Sequence, residues 1–167
     1  GKNMSGELAT YLFSKRLIKK EDPSIITQYL KNLISIGLIE KIPYYNKKRF
    51  VYAHTSPLAK IFFYMDDKYN FAERDMSEKE LFAILENMMP RIVEANVREE
   101  IAKRKGLAPY LYDDGKTEID GMFLRFKKPK YVLEVKWGNL KQKDVREIEK
   151  KLNYFQGCKK ILFVPDK

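Results

Sequence analysis

The amino-acid sequence predicts a mixed α/β protein with two domains, and three observations lead to this prediction. Residues 6–70 show the periodicity of three short helices followed by a hairpin. A polar, charged stretch at residues 72–80 has the composition of a linker. Beyond it, the element order helix–strand–strand–strand–helix–strand is typical of a layered α/β domain with a central mixed sheet. We therefore expect one domain over residues 1–72 and a second over residues 73–167.

The charge balance favours a polyanionic partner. The 167 residues include 33 Lys and Arg against 23 Asp and Glu, a formal net charge of +10. Residues 1–70 hold 12 of the basic and 6 of the acidic residues, a net of +6. A field of this size attracts nucleic acid, although lysine-rich surfaces are also common in proteins from hot environments. Charge by itself supports a nucleic-acid partner without identifying one.

Composition also excludes several classes of protein. A single cysteine, Cys158, rules out an internal disulfide and a Cys-rich zinc site. No apolar run approaches the ~20 residues of a membrane-spanning helix, and the N-terminus lacks the apolar stretch of a signal peptide. We expect a cytoplasmic protein without a membrane partner. Because residue 1 is not Met, we also expect the chain to be processed or to be a piece of a longer protein.

Residues 22–37 form the best-defined helix of the first domain. Asp22 fits the N-cap and Pro23 the first helical position, while Gly37 fits a left-handed C-terminal cap. The apolar positions recur at helical spacing, and they are Ile26, Leu30, Leu33 and Ile34. After Gly37 the sequence alternates as two strands around a turn at residues 46–49.

A helix, a second helix ending in Gly-Leu-Ile and then a basic hairpin resemble a winged helix-turn-helix. The outward side of the second helix carries short polar groups suited to base edges or phosphates, and the hairpin tip is basic. The expected DNA-binding residues are Thr27, Gln28, Lys31 and Asn32 on the helix, with Lys47, Lys48 and Arg49 at the hairpin tip. Winged helices also serve as protein–protein or intramolecular packing modules, and this alternative stays open.

The second half begins with a long helical stretch. Ser77 and Glu80 have the spacing of a capping box. The helix is expected to run through Met89, to restart or kink at Pro90, and to continue to Gly106. Three strands, a helix and a last strand follow, at residues 108–114, 117–126, 130–138, 141–155 and 159–165.

Two of these strands carry charges where a core strand would have apolar residues. Because side chains alternate between faces, Glu134 and Lys136 share one face of their strand. A short basic connection makes the preceding strand an antiparallel neighbour, and a turn centred near Lys127 places Asp120 opposite Glu134, on the same face. A register shifted by one residue would send Asp120 to the other face. The sequence therefore predicts that three charged side chains converge.

Two neighbouring carboxylates repel each other unless a cation lies between them. Oxygen ligands suit Mg²⁺ or Mn²⁺, and Lys136 would then orient or activate a water or steady a phosphoryl oxygen. Glu94 is the expected third acidic group because it leans toward the buried side of its helix; Glu100 is the second choice, and Glu99 points away. The alternative is a cross-strand salt bridge between the strand residues on a solvent-facing sheet, worth about 0.2–1 kcal/mol.

The order of elements and the charges in the strands resemble the P-D-(D/E)-x-K nuclease superfamily. The resemblance implies a catalytic group of Glu94, Asp120, Glu134 and Lys136, of which the three acidic residues bind the metal. Ile119 stands where the motif has Pro, a departure that many members tolerate. The helix after the third strand often carries a further polar site residue in that family, and Gln142 or Lys143 could serve here.

Over nearly the whole chain, the sequence resembles the C-terminal region of archaeal P-loop ATPases, most specifically at residues 22–39 and 134–137. In those proteins a nucleotide-binding module precedes a winged helix and a nuclease-like domain. The sequence contains no G-x-x-x-x-G-K-[ST] loop, so ATP would bind only in a part not present here. The resemblance implies a DNA-interacting module that works with an ATPase domain of the same or another chain. The alternatives are a non-catalytic regulatory or scaffold module and a winged-helix transcription regulator.

Overall fold

The structure, a computed structural model, describes residues 5–165. The chain forms two compact units. One holds the chain up to Pro43 together with Lys48–Ile84, and the other holds Tyr44–Lys47 together with the chain from Leu85 onward. The division at Ile84 falls inside a long helix, and the sequence-predicted boundary between residues 72 and 73 lies before that helix begins.

Two helices precede the hairpin in the first unit, and a third follows it. The elements are α1 (Ser5–Ser14), α2 (Pro23–Ser35), β1 (Ile39–Pro43), β2 (Phe50–His54), α3 (Pro57–Tyr69) and a 3-10 turn (Phe71–Glu73). The expected order of three helices before a hairpin is therefore wrong. The lysine-rich stretch after α1 forms bends instead of a helix, and Arg16 there has a left-handed backbone with a φ of 58°.

The ends of α2 are those that the sequence predicts. The Asp22 carboxylate accepts a hydrogen bond from the Ser24 N–H at 2.8 Å, and Pro23 is the first helical residue. Gly37 follows the helix with a φ of 75°. The inner side of α2 packs against α1 and β1 in a core cluster of Ala9, Ile26, Leu30 and Ile39, with Leu33 and Ile34 against it.

The second unit contains a four-stranded mixed sheet. The long helix α4 (Glu78–Lys105), which both units share, is followed by β3 (Ala108–Asp113), β4 (Glu118–Arg125), β5 (Lys128–Val135), α5 (Gln142–Asn153) and β6 (Lys159–Phe163). The strand order is β3-β4-β5-β6, with antiparallel pairs up to β5 and a parallel β5–β6 pair. The predicted mixed α/β class is confirmed, as are the element order and the mixed sheet of this unit.

Helix α4 runs without a break through Pro90. The capping box at its start is confirmed, since the Ser77 N–H donates to Glu80 at 2.9 Å and the Glu80 N–H donates to the Ser77 hydroxyl at 3.4 Å. Of the two expectations for Pro90, a restart is wrong because the helix is continuous, and a kink stays a prediction. A proline removes one hydrogen-bond donor from a helix, and the flanking turns carry buried side chains, Met88 and Ile92, that hold the helix by packing.

Each face of the mixed sheet packs against one helix. On one face, Met122 and Val132 pack against Ile148 and Leu152 of α5. On the other, Phe123, Leu133 and Val135 form a cluster with Ala102 of α4. Both clusters are almost fully buried, so the middle of β4 and β5 is the core of this unit. No helix within residues 5–165 is long and apolar enough to span a membrane.

Candidate functional site

The predicted register between β4 and β5 is present in the structure. Gly121 pairs with Leu133, which carries Asp120 to the position opposite Glu134. At this point the Asp120 carboxylate accepts a hydrogen bond from the Val135 N–H at 2.7 Å. A side-chain oxygen thus takes the place of a backbone acceptor where the ladder of the two strands ends.

A β-bulge in β4 changes the direction of the Asp120 side chain. Tyr112 pairs with Ile119 but Tyr110 pairs with Met122, so β4 has one residue more than β3 in this interval. A bulge bends its strand and is common beside functional sites. Because of it, Ile119 and Met122 both join the cluster on the α5 face, and Asp120 is free to turn its carboxylate toward the end of β5.

Glu134 is the only buried charged side chain in the part of the chain that the structure describes, and it is 1% exposed. Two ammonium groups neutralise it. Lys151 Nζ lies 2.7 Å from both carboxylate oxygens, and Lys136 Nζ lies 2.8 Å from Oε1. Burying a carboxylate is costly unless it is paired and hydrogen-bonded, and Glu134 is both.

Sequence analysis missed Lys151. Gln142 and Lys143, expected at this place, are both exposed, and Lys143 lies 3.8 Å from Glu147 instead. A signal was present, because Lys151 lies three residues after Ile148 and directly before Leu152, on the apolar stripe of α5. A lysine inside such a stripe indicates a buried carboxylate partner.

Glu94, on α4, also lies at this site. Burial raises its pKa, and the charge of Asp120 raises it further, whereas Arg98 and Lys136 oppose the shift. The second choice, Glu100, is exposed and pairs with Arg104 at 2.5 Å. Glu94 is therefore the helix carboxylate within electrostatic range of Asp120.

The pKa values of the other charged groups show how strongly they interact. Burial raises the pKa of Asp120, and the charge of Glu134 adds to this, against the hydrogen bond from Val135 and the nearby lysines. For Lys136, burial lowers the pKa, but the hydrogen bond to Glu134 and the charges of all three carboxylates outweigh it and raise the pKa. Lys136 is thus held as an ammonium ion amid the three acidic groups.

Arg98 is a second residue that sequence analysis missed. Its guanidinium donates to the Asp120 carbonyl at 2.8 Å. Gly121 makes room for it, because a Cβ there would lie 3.3 Å from Arg98 Cγ and 3.4 Å from Leu133 Cδ2. The spacing offered a signal, since Arg98 follows Glu94 by four residues and so lies on the same side of α4.

The residue types suit a hard divalent cation, but lysines already neutralise part of the negative charge that such a cation would neutralise. Carboxylate oxygens are the ligands that Mg²⁺ and Mn²⁺ prefer. Within residues 5–165, however, no group of three or more His, Cys, Asp or Glu side chains is arranged to hold a metal ion. Lys136 and Lys151 both pair with Glu134, whereas the Arg98 guanidinium donates to the backbone carbonyl of Asp120. A cation that binds Glu134 would therefore compete with two ammonium groups.

The DNA-binding candidates on α2 lie on its outer side. Gln28, Lys31 and Asn32 are exposed, and Thr27 is half-buried. The Gln28 amide donates to Asn32 at 3.1 Å, and the Thr27 hydroxyl donates to the Pro23 carbonyl at 2.9 Å. The outer side of α2 therefore presents amides and an ammonium group beside two exposed apolar side chains, Ile25 and Tyr29.

The three basic candidates of the β1–β2 connection divide between the units. Lys48 and Arg49 belong to the first unit and are exposed. Lys47 belongs to the second unit, where its Nζ lies 3.7 Å from Asp113. The Tyr45 N–H in the same stretch donates to the Leu111 carbonyl at 2.8 Å. Lys47 is thus partly neutralised by Asp113, and its contact with DNA stays a prediction.

No protein-family model matches the chain, and no curated protein or solved structure matches it. The resemblances noted in the sequence therefore remain predictions, based on the residues and the order of elements.

Proposed function

We propose that the chain is a DNA-interacting module of an archaeal P-loop ATPase, in which the first unit binds duplex DNA and the second carries a divalent-metal nuclease-like site. One observation supports the proposal most. Asp120 and Glu134 lie opposite each other where the β4–β5 ladder ends, with Glu94 and Lys136 in electrostatic range. Carboxylates gathered around one lysine at the end of a hairpin suit phosphodiester chemistry.

Asp120, Glu134 and Glu94 would hold Mg²⁺ or Mn²⁺ through their oxygens. When bound, such a cation polarises a phosphoryl oxygen and lowers the pKa of its water. The protein's own groups supply the remaining functions. Val135 fixes the orientation of Asp120 through its N–H, and Arg98 anchors the bulged backbone at Asp120. These contacts position the first ligand before any substrate arrives.

Lys136 is suited to stabilise charge rather than to take up a proton. Because the hydrogen bond to Glu134 and the three carboxylates raise its pKa in spite of burial, it stays protonated at neutral pH. Its side chain is 41% exposed, so its ammonium group remains accessible from solvent. Of the roles expected for this lysine, contact with a phosphoryl oxygen is the one that these surroundings favour.

The test is Mn²⁺-dependent nicking of duplex, branched and flapped DNA. We expect cleavage by the wild type and its loss in Asp120→Asn and Lys136→Met. Glu99→Gln is the matched control, because Glu99 is exposed on the same helix as Glu94, and it should cleave normally. Substrates that stay intact through long incubation with Mn²⁺ and with Mg²⁺ would remove the enzymatic part of the proposal.

A non-catalytic scaffold is the second candidate, and a specific observation favours it. Lys136 and Lys151 already neutralise Glu134 without any metal. Calorimetry with Mn²⁺ separates the two candidates. Binding that is lost in Asp120→Ala and tightened in Lys151→Met, which removes a competing charge, supports a metal site. Absence of binding in the wild type and in Lys151→Met favours the scaffold.

The duplex-binding part has its own test. Replacing Lys31, Lys48 and Arg49 with Ala should weaken duplex affinity and lower the slope of log K against log salt by about 0.9 for each phosphate that is no longer neutralised. Lys116→Ala, Arg146→Ala and Lys150→Ala together, also at exposed residues, remove the same three charges and are the control for a change of net charge alone. If the triple variant binds duplex as the wild type does, the outer side of α2 is not the DNA-binding surface.

A further inference from the structure

The turn between β4 and β5 breaks the usual rules of a two-residue hairpin. Phe126 and Lys127 form the loop, and both have left-handed backbones, with φ values of 50° and 63°. Such turns strongly favour Asn-Gly or Asp-Gly, because a bulky side chain is strained at positive φ. In the β3–β4 connection of the same sheet, residues 114–117, the residue with a positive φ is a glycine, Gly115, and the Asp114 carboxylate accepts the Thr117 N–H at 2.7 Å.

The side chains at this turn add two further features that are unfavourable for the stability of the hairpin. Phe126 is 94% exposed, more than any other large apolar side chain in the described residues. Arg125 and Lys128 pair directly across the ladder, where like charges repel. A strained loop, an unburied aromatic ring and paired like charges are each unfavourable for the stability of the hairpin. Local violations of this kind are typical of functional sites.

The charge around Phe126 points to a polyanion. Between residues 121 and 133 the chain has four basic residues and no acidic one. Lys127, Lys128 and Lys130 are exposed, and among residues 5–165 none of them forms an ion pair with a carboxylate. Lys105 and Lys159 extend the basic surface, since the Nζ atom of each lies 5.9 Å from the centre of the Tyr131 ring.

We propose that this hairpin tip, residues 125–130, is a binding site for single-stranded nucleic acid, with Phe126 stacking on a base and the lysines contacting phosphates. An exposed aromatic ring next to cationic side chains is the combination that binds single strands without sequence preference. A duplex hides its base faces, so the ring selects unpaired bases. The tip lies six residues from Asp120 along β4, about 20 Å in an extended strand, and is therefore separate from the carboxylate group.

This surface does not depend on α2 or on the carboxylate group, and the experiment keeps them apart. Fluorescence anisotropy with a labelled oligothymidylate of about 15 nucleotides is measured on the full chain. Phe126→Ala should weaken binding about tenfold, and Phe126→Trp should restore it. Phe126→Leu should remain weak, because leucine is apolar but has no π face. Phe82→Ala, at another exposed phenylalanine, is the control and should bind as the wild type does.

The lysines are tested by salt titration. Lys127→Ala together with Lys128→Ala should lower the salt slope for the single strand by about 0.7 per lysine, with the slope for Phe126→Ala unchanged. Duplex binding should be unaffected by these variants and lost in the α2 variants, so that failure of one surface is distinguishable from failure of the other. An oligo-uridylate probe shows whether RNA is bound as well as DNA.

Three results would overturn the proposal. Single-strand affinity of Phe126→Ala within twofold of the wild type would remove the stacking role. Full binding by Phe126→Leu would mean that only apolar contact matters. Loss of binding to phosphatidylserine vesicles in Phe126→Ala, with single-strand binding intact, would assign the tip to an anionic lipid surface instead.

Discussion

Lys151 Nζ lies 2.7 Å from each carboxylate oxygen of Glu134. This contact joins α5 to the centre of the sheet through a charge that is 1% exposed. Because Lys136, the residue after β5, approaches the same carboxylate, Glu134 is shared between two ammonium groups. The stability of the second unit and the chemistry of its candidate site therefore depend on the same residue.

Lys151→Ala tests the structural side of this contact. Glu134 would keep only Lys136, and we expect the free energy of unfolding to fall by about 1–3 kcal/mol, since a buried carboxylate loses a charged hydrogen-bond donor. Urea unfolding measures the change. Lys150→Ala is the matched control. The side chain of Lys150, next to Lys151 in sequence, is exposed, and its removal should change the free energy of unfolding by less than about 0.5 kcal/mol. Equal effects of the two variants would contradict the prediction.

Asp120 has a structural role that is separable from its charge. Asp120→Ala removes the acceptor for the Val135 N–H, and Val135 is 3% exposed. We expect a loss of about 1–3 kcal/mol in the free energy of unfolding, because a buried donor is left unsatisfied. Asp120→Asn keeps an acceptor oxygen and should lose less. If both variants unfold at the same urea concentration, the hydrogen bond to Val135 is not what the carboxylate contributes to stability.

The register that unites Asp120 and Glu134 was predictable only in part. The short connection predicts the antiparallel pair, but the turn pair Arg125–Lys128, continued along both strands, would set Asp120 opposite Leu133, and a register shift between Phe123 and Leu124 brings it opposite Glu134. The caps of α2 were fully predictable, since Asp22 and Pro23 act within a single turn. Such features depend on neighbours in sequence.

Features that depend on docking were not predictable. Lys151 reaches Glu134 only because of how α5 packs on the sheet. The bulge at Asp120 depends on pairing with β3, and the sequence alone does not show where one strand carries an extra residue. The Tyr45 N–H donates to the carbonyl of Leu111, far away in the chain. In each case the partner comes from an element whose position no local pattern specifies.

The pH dependence of stability tests the surroundings of Glu94. Burial and the charge of Asp120 raise its pKa above the usual 4.5, so the folded state favours the protonated form. This contribution to stability is present below the usual pKa and is lost as pH rises through the folded-state pKa. Glu94→Gln removes the dependence. We expect the stability of this variant relative to the wild type to increase from about pH 4 upward and then to level off.

Urea unfolding of the wild type and Glu94→Gln across about pH 3.5–8 measures this difference. Glu99→Gln, on the exposed side of the same helix, is the control and should show no comparable rise. A relative stability of Glu94→Gln that stays constant or falls with increasing pH would contradict the raised pKa and would place Glu94 away from the acidic group.

The strained turn makes a prediction in which stability and binding move in opposite directions. Replacing Phe126 and Lys127 with Asn and Gly supplies residues that accept positive φ at both positions. We expect the free energy of unfolding to rise by about 1–2 kcal/mol, because a left-handed backbone costs non-glycine residues roughly that much. The repulsion between Arg125 and Lys128 remains, so the rise in the free energy of unfolding measures the effect of the two turn residues alone. Thermal and urea unfolding measure it.

The same double substitution should abolish most single-strand affinity, since the ring and one lysine are both removed. Lys127→Gly alone separates the two effects: it should recover part of the stability and keep the stacking ring. A turn selected only for folding would show no such trade-off, because Asn-Gly would then improve stability at no cost in binding. A double variant less stable than the wild type would mean that Phe126 and Lys127 stabilise the hairpin, and the functional interpretation of the turn would lose its physical basis.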